Sequence, residues 1–329
     1  MFDTRELGGV EMGLYGRELW PHEPYSATAK AWDDEERAAL LALLRMQPKG
    51  ARWSDVADAV ATNGSARDVW HARYPAALLG GDEDAVLERA RADVTKWRNA
   101  PFDFHTFMDD SYPEQLRSVH QMPPIVFTQG RRVPREVAVS VVGSRRASPE
   151  GVRFADGLAR QLAEFDVTVV AGLAEGIDTV AHEAALRAGG RTVAVLGNGI
   201  ERSYPANNRD LQQEIAKDGM LLSQFMPDFS PTKWSFPARN AVMSAYGLAT
   251  VIVEATEVSG TRIQAREAVN HGRAVILSCR VVEATNWARR LIGEPGVYVA
   301  NDVNEAIEQI GEVIEADAAV ESILAGSGW

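Results

Sequence analysis

Two arginines follow a glycine and a serine, Gly143-Ser144-Arg145-Arg146, at the end of a short Val-rich run, 138–142. Two more runs of the same kind, 167–171 and 192–196, end in Gly172-Leu173-Ala174-Glu175-Gly176 and Gly197-Asn198-Gly199. Glycine lets a backbone come close to a ligand, and a helix that starts just beyond it offers unpaired amides to an anion. Guanidinium groups add charge and paired donors, so the chemistry suited to these residues is the holding of phosphate. Gly143, Ser144, Arg145 and Arg146 are the predicted donors of the first loop, and Gly172 and Gly176 belong to the second. The plainer alternative is a pair of tight turns with surface arginines.

Two further stretches carry similar residue types. Phe236-Pro237-Ala238-Arg239-Asn240 sets a guanidinium and an amide beside Trp234 and Phe236. Single-stranded bases stack on rings while arginine meets phosphate; a loop that caps the core would look the same. Ser259-Gly260-Thr261 follows another Val-rich run and opens a helical pattern. It reads as a second hydroxyl-bearing phosphate loop or as an N-cap. Asp178 and His182, four apart, share a helix face, either toward a ligand or as a cap and its satisfied neighbour. Arg187, more than two turns on, reads from spacing as part of a solvated face. The six histidines have no metal-ligand spacing, and there is no Walker loop, nucleophile elbow or CxxC. The expectation is therefore no catalytic residue, no metal and no cofactor.

The elements that must position these loops follow from pattern. Continuous apolar runs without alternation read as strands buried on both faces. Helical patterns at 152–165 and 177–188 lie between them, so the unit is a parallel sheet with right-handed crossovers. Ligands in such sheets bind beyond the carboxyl ends of the strands, where the glycine loops fall. Residues 1–32 have no sustained period and are expected to be a flexible arm. Helices are expected at 35–44, 53–61, 66–74 and 83–100, a small all-α domain over 33–100. Residues 102–130 read as a connector ending in an apolar run, 125–127. Strands follow at 220–223, 248–254, 274–277 and 296–299, with helices at 208–217, 238–245, 261–271 and 302–314. An acidic tail is expected over 316–329.

The chain has 329 residues and one cysteine, Cys279, which argues against a disulfide framework. No apolar run is long enough for a signal peptide or a membrane span, so a cytoplasmic protein with no membrane partner is expected. The net charge of −12 is unevenly spread. Residues 131–300 hold 20 Lys+Arg against 18 Asp+Glu; residues 1–130 hold 14 against 21, and 301–329 hold none against 7. The acid is peripheral and the glycine-loop core is weakly basic, which leaves a local anion site open despite the overall sign.

Taken together, the motifs resemble the DprA/Smf family, the DNA-processing proteins A. The matching pieces, in order, are Ser111-Tyr112-Pro113 with Pro123-Pro124, Val142-Gly143-Ser144-Arg145, Ala171 through Asp178 with Ala181-His182, Ala194 through Gly197, Tyr204-Pro205, Phe236 through Asn240, and Val253-Glu254-Ala255 leading to Ser259-Gly260-Thr261. They span roughly residues 100–310. The resemblance implies an extended Rossmann-like parallel sheet with helices on both faces over 101–315, preceded by a small SAM-like helical domain. It implies a homodimer that binds single-stranded DNA without hydrolysing it and loads a RecA-type recombinase in DNA recombination and natural transformation. Arg145, Arg187, Arg239 and the loop 259–261 would line the DNA pocket. Ala241 stands where the family has a second arginine, and a member without the C-terminal winged helix is expected. Arg145→Ala and Arg239→Ala are both expected to weaken DNA binding and leave the fold intact. Other readings are a DprA-like component of a defence or toxin–antitoxin system, a protein-interaction role alone, and a nucleotide-handling enzyme or sensor of the related lysine-decarboxylase-like fold. That enzyme would need a Pro-Gly-Gly-x-Gly-Thr loop where this chain has Val258-Ser259-Gly260-Thr261, and it would use Glu254.

Overall fold

A computed structural model describes residues 32–48, 52–75 and 82–326; the expected arm up to residue 31 and the last three residues of the tail lie outside them. The three glycine-ended runs form the middle of one sheet: β3 (Ala138–Gly143), β4 (Thr168–Ala171) and β5 (Thr192–Val195). With β1 (Asp103–Thr106), β2 (Ile125–Gly130), β6 (Met220–Ser223), β7 (Ala249–Glu254), β8 (Ala274–Ser278) and β9 (Val297–Ala300) they give a nine-stranded sheet in the order β1-β2-β6-β5-β4-β3-β7-β8-β9. The pairs from β6 to β9 are parallel, and β1–β2 and β2–β6 are antiparallel. The 102–130 stretch, read as a connector, thus widens the sheet by two strands. Strand β1 has only four residues, and its pairing Phe104↔Phe127 is non-local, so no local period announces it.

The parallel strands carry apolar residues on both sides because helices cover both faces. Val139, Val141, Val169, Val251, Val253 and Ile276 pack with α5 (Pro149–Glu164), α6 (Ile177–Arg187) and α12 (Val303–Gly326). Their alternates, such as Ala138, Val142, Val170, Ile252, Val275 and Leu277, pack with α7 (Arg209–Asp218), α8 (Ser235–Tyr246) and α9 (Thr261–Asn270). Ser140, the polar member of that second set, donates to Met243 O of α8 at 2.9 Å. Two short helices, α10 (Cys279–Ala284) and α11 (Asn286–Leu291), follow β8. Helix α12 runs well past the expected end near 314, so most of the expected acidic tail is helix.

The helical unit before the sheet contains α1 (Asp34–Arg45), α2 (Trp53–Asn63), α3 (Ala66–Arg73) and α4 (Asp82–Trp97). Asp33 caps α1 by accepting from Glu36 N at 3.0 Å, as the acidic start suggests. The core of this unit is continuous with that of the sheet. Trp97 of α4 meets Phe104 and Phe127 edge-on, with ring centroids 5.0 and 4.9 Å apart, and Arg37 of α1 pairs with buried Asp109 at 2.7 Å. No helix among the described residues is long and apolar enough to cross a membrane.

Candidate nucleic-acid interface

The loops after β3, β4 and β5 meet at the carboxyl end of the sheet, around a cavity of about 140 Å³. Arg145 comes from the first loop, Gly172, Ala174 and Glu175 from the second, and Gly197 and Asn198 from the third. Tyr204 and Pro205 close one side, and Phe236 and Arg239 reach in from α8. The structure therefore brings together Arg145, Gly172, Phe236 and Arg239 of the sequence-predicted residues. Tyr204, Asn198 and Glu175 were not among the predicted site residues. Tyr204 could have been found from its place in the Tyr-Pro pair of the third loop's continuation, since its ring lies 5.7 Å from that of Phe236.

Close approach explains the glycines. A Cβ on Gly172 would strike the Arg239 guanidinium, and one on Gly197 would sit 2.8 Å from the Phe236 ring. Gly176 has φ +82°, and a Cβ there would meet Ser144 O. Gly143 is packed equally tightly on Ile177, with a hypothetical Cβ at 2.6 Å from its Cγ1. These glycines hold loop to loop.

The two arginines of the cavity differ. Arg145 is exposed, and its Cζ lies 5.5 Å from the centroid of the Phe236 ring, a cation–π arrangement. Its guanidinium makes no hydrogen bond or ion pair among the described residues, though its charge acts on buried Asp178 and Arg239. Arg239 is only 6% exposed. Its Nη1 donates to Gly172 O and, at 3.1 Å, to Val195 O, and its Nε donates to Asn240 Oδ1 at 3.0 Å. Burial lowers its pKa, and the carboxylate of Asp178 works against that. The expectation that Arg239→Ala leaves the fold intact is corrected by this burial: Arg239 ties β4 and β5 to α8. Helix α8 begins at Ser235, not at 238, which puts Arg239 on the same face as buried Val242 and Met243.

Much of the amide display expected of the loops is already taken. Asp178 is buried and accepts from Gly172 N at 2.9 Å and Ala174 N at 3.4 Å. Burial raises its pKa, while Arg239 and those amides pull it down. Ser144 Oγ binds back to Arg146, accepting from its N at 3.1 Å and donating to its O at 3.0 Å. At the start of α5, Ser148 caps Gly151 N at 3.0 Å and itself donates to Glu254, at 3.1 Å from N and 2.5 Å from Oγ. Glu254 is thus the anion at that helix start. The side chains, led by Arg145, are what remains for a ligand.

Other predicted residues stand apart from the cavity. Arg187 sits at the far end of α6, ion-paired with Asp156 at 2.8 Å and Glu183 at 3.5 Å. Arg146 is exposed and does not line it. The loop after β7 lies at the same end of the sheet, two strands from β4; there Ser259 Oγ and Thr261 Oγ1 pair with each other at 2.7 Å. His182 is fully buried, binds Thr192 Oγ1 at 2.6 Å, and has its pKa pushed down to about 3 by burial. It is a neutral core group. No group of three or more potential metal ligands occurs among the described residues.

Comparison with known proteins bears on the fold that carries these loops. The chain is 37% identical over 178 residues to the DNA processing protein DprA of Streptococcus pneumoniae, an alignment covering 53% of this chain and 62% of that protein. The chain thus spans less than two thirds of that curated relative. The X-ray structure of S. pneumoniae DprA superposes with a TM-score of 0.66 at 26% identity, covering 85% of this chain and 98% of that one. A structure of DNA processing protein A from Helicobacter pylori, described for its single-stranded DNA binding mode, superposes with a TM-score of 0.56 at 26% identity, covering 65% and 97%. The sequence model of the DNA recombination-mediator protein A family matches residues 103–311, the whole sheet with its loops, and the chain belongs to that family.

Proposed function

We propose that the chain binds single-stranded DNA in the cleft above β3, β4 and β5, without hydrolysing it. The observation that carries this reading is the exposed Arg145 guanidinium, without a hydrogen bond or ion pair among the described residues, set over the half-buried Phe236 ring at the mouth of the cavity. A phosphate can take the guanidinium while a neighbouring base stacks on Phe236 or Tyr204. Bases in a duplex stack on one another and offer no free face, so a single strand is favoured. The single-stranded DNA named for the H. pylori neighbour supports the same ligand class. A homodimer that passes the strand to a RecA-type recombinase is the wider role, in keeping with the family's description as recombination mediators.

The test is fluorescence anisotropy of the full chain with a labelled oligonucleotide, single-stranded and then annealed. Tighter binding of the single strand, weakening as salt rises, is expected. Equal affinity for both forms, or no salt dependence, contradicts the proposal.

A further inference from the structure

The opposite end of the sheet holds a second concavity that the DNA-binding reading does not use. It encloses about 360 Å³ at the amino ends of β3, β4 and β5. Arg131, Arg135, Arg191, Val133, Val137 and Asp166 are among the residues around it. A volume of this size falls within the range of small-ligand sites. The parallel strands separate it from the cleft by six residues of β3, on the order of 20 Å.

Its chemistry starts from a buried ion pair. Glu136 and Arg191 have side chains 2% and 11% exposed. The Glu136 carboxylate accepts from Arg191 Nε, from Thr168 Oγ1 at 2.6 Å and from the Tyr246 hydroxyl at 2.5 Å. Its charge is fully engaged by these donors. Arg191 Nη2 donates to Arg131 O at 2.6 Å. Nη1 of the same guanidinium is buried and has no partner among the described residues. A buried N–H without an acceptor is costly, so this nitrogen lacks an acceptor that a ligand would supply.

The surroundings favour an anion there. Arg131 and Arg135 are exposed, and the only ion pair of Arg135 among the described residues is a loose one, 3.5 Å to exposed Glu114. Such a surface pair is readily given up. Arg135 and Asp166 both have left-handed backbone, φ 47° and 56°, without being glycine. At Asp166 this is the left-handed residue that ends α5, with Val167 N bonding back to Leu162 O at 2.9 Å. With Glu136 and Arg191 paired to each other, Arg131 and Arg135 face one remaining lining acid, Asp166. Val133 and Val137 add apolar wall.

We propose that this concavity binds a phosphate-bearing ligand, with Arg191 Nη1 as the buried donor and Arg131 and Arg135 as clamps at the mouth. The phosphate could belong to a free small molecule or to a DNA backbone. The test titrates the full chain with inorganic pyrophosphate and follows backbone amide chemical shifts. Saturable shifts are expected at 131–137, 166–168 and 189–191. The double variant Arg131→Ala/Arg135→Ala, altering exposed side chains only, should weaken those shifts by at least about tenfold. Arg145→Ala, at the other end, should leave them unchanged. Adding a single-stranded oligonucleotide then separates the sources: displacement of pyrophosphate assigns the phosphate to DNA, and joint binding assigns it to a free compound. No shifts at millimolar pyrophosphate, or shifts that survive the double variant, overturn the proposal.

Discussion

Arg145 and Arg239 differ in what their guanidinium groups already hold. Arg145 was legible from sequence, because an arginine right after a strand-ending Gly-Ser has to emerge at the mouth of the loop. Arg239 was legible as a site residue but not as a strut. Its burial depends on α8 starting three residues before the expected point and on carbonyls of Gly172 and Val195, far away in sequence. Arg187 was placed with the pocket by motif, yet the length of α6 carries it away. Two substitutions follow at this scale. Arg239→Ala should cost about 1–3 kcal/mol of stability, because two buried carbonyls lose their donor and Asp178 loses its countercharge. Gly172→Ala, which drives a methyl into the same guanidinium, should cost a similar amount, about 1–3 kcal/mol. Urea unfolding measures both; an unchanged midpoint for either would remove Arg239 from the framework.

Strands β3, β4 and β5 could be read at once, since burial on both faces leaves a plain apolar run. Strand β1 could not, being four residues long and held by a distant partner. The end of α12 was misjudged because the run of acids without Lys or Arg hides a helical period. Between β3 and α5 the turn residues could be read but not their wiring. Ser148 caps α5 and also anchors Glu254 of β7, so one hydroxyl links two elements on the cleft side of the sheet. Losing an N-cap typically costs about 1 kcal/mol, and here a second bond goes with it. Ser148→Ala should therefore destabilise by about 1–2 kcal/mol in denaturant unfolding. Ser148→Thr, which keeps the oxygen, should recover most of it; failure of threonine to do so would point to backbone geometry and not to the hydroxyl.

On the scale of the molecule, the helical unit and the sheet share one continuous core. Its seam is aromatic, with Trp97 of α4 and Phe104 of β1 both set on Phe127 of β2. Trp97→Ala should lower stability by about 3–5 kcal/mol, and the whole chain should melt in one transition. Two separate transitions in the wild-type chain would mean that the units fold independently. The same scale decides function, because the sheet has two ends and single-stranded DNA is proposed for the carboxyl one. The most direct measurement compares the affinity of the full chain for a short labelled single strand with those of Arg145→Ala and Arg187→Ala, in one buffer, with melting curves as controls. Arg145→Ala should weaken binding by about ten- to a hundredfold, and Arg187→Ala, at an exposed ion-paired residue away from the cleft, should stay within about twofold, with all three proteins folded. Equal losses in the two variants would contradict it, since diffuse positive charge and not a built site would then be holding the strand.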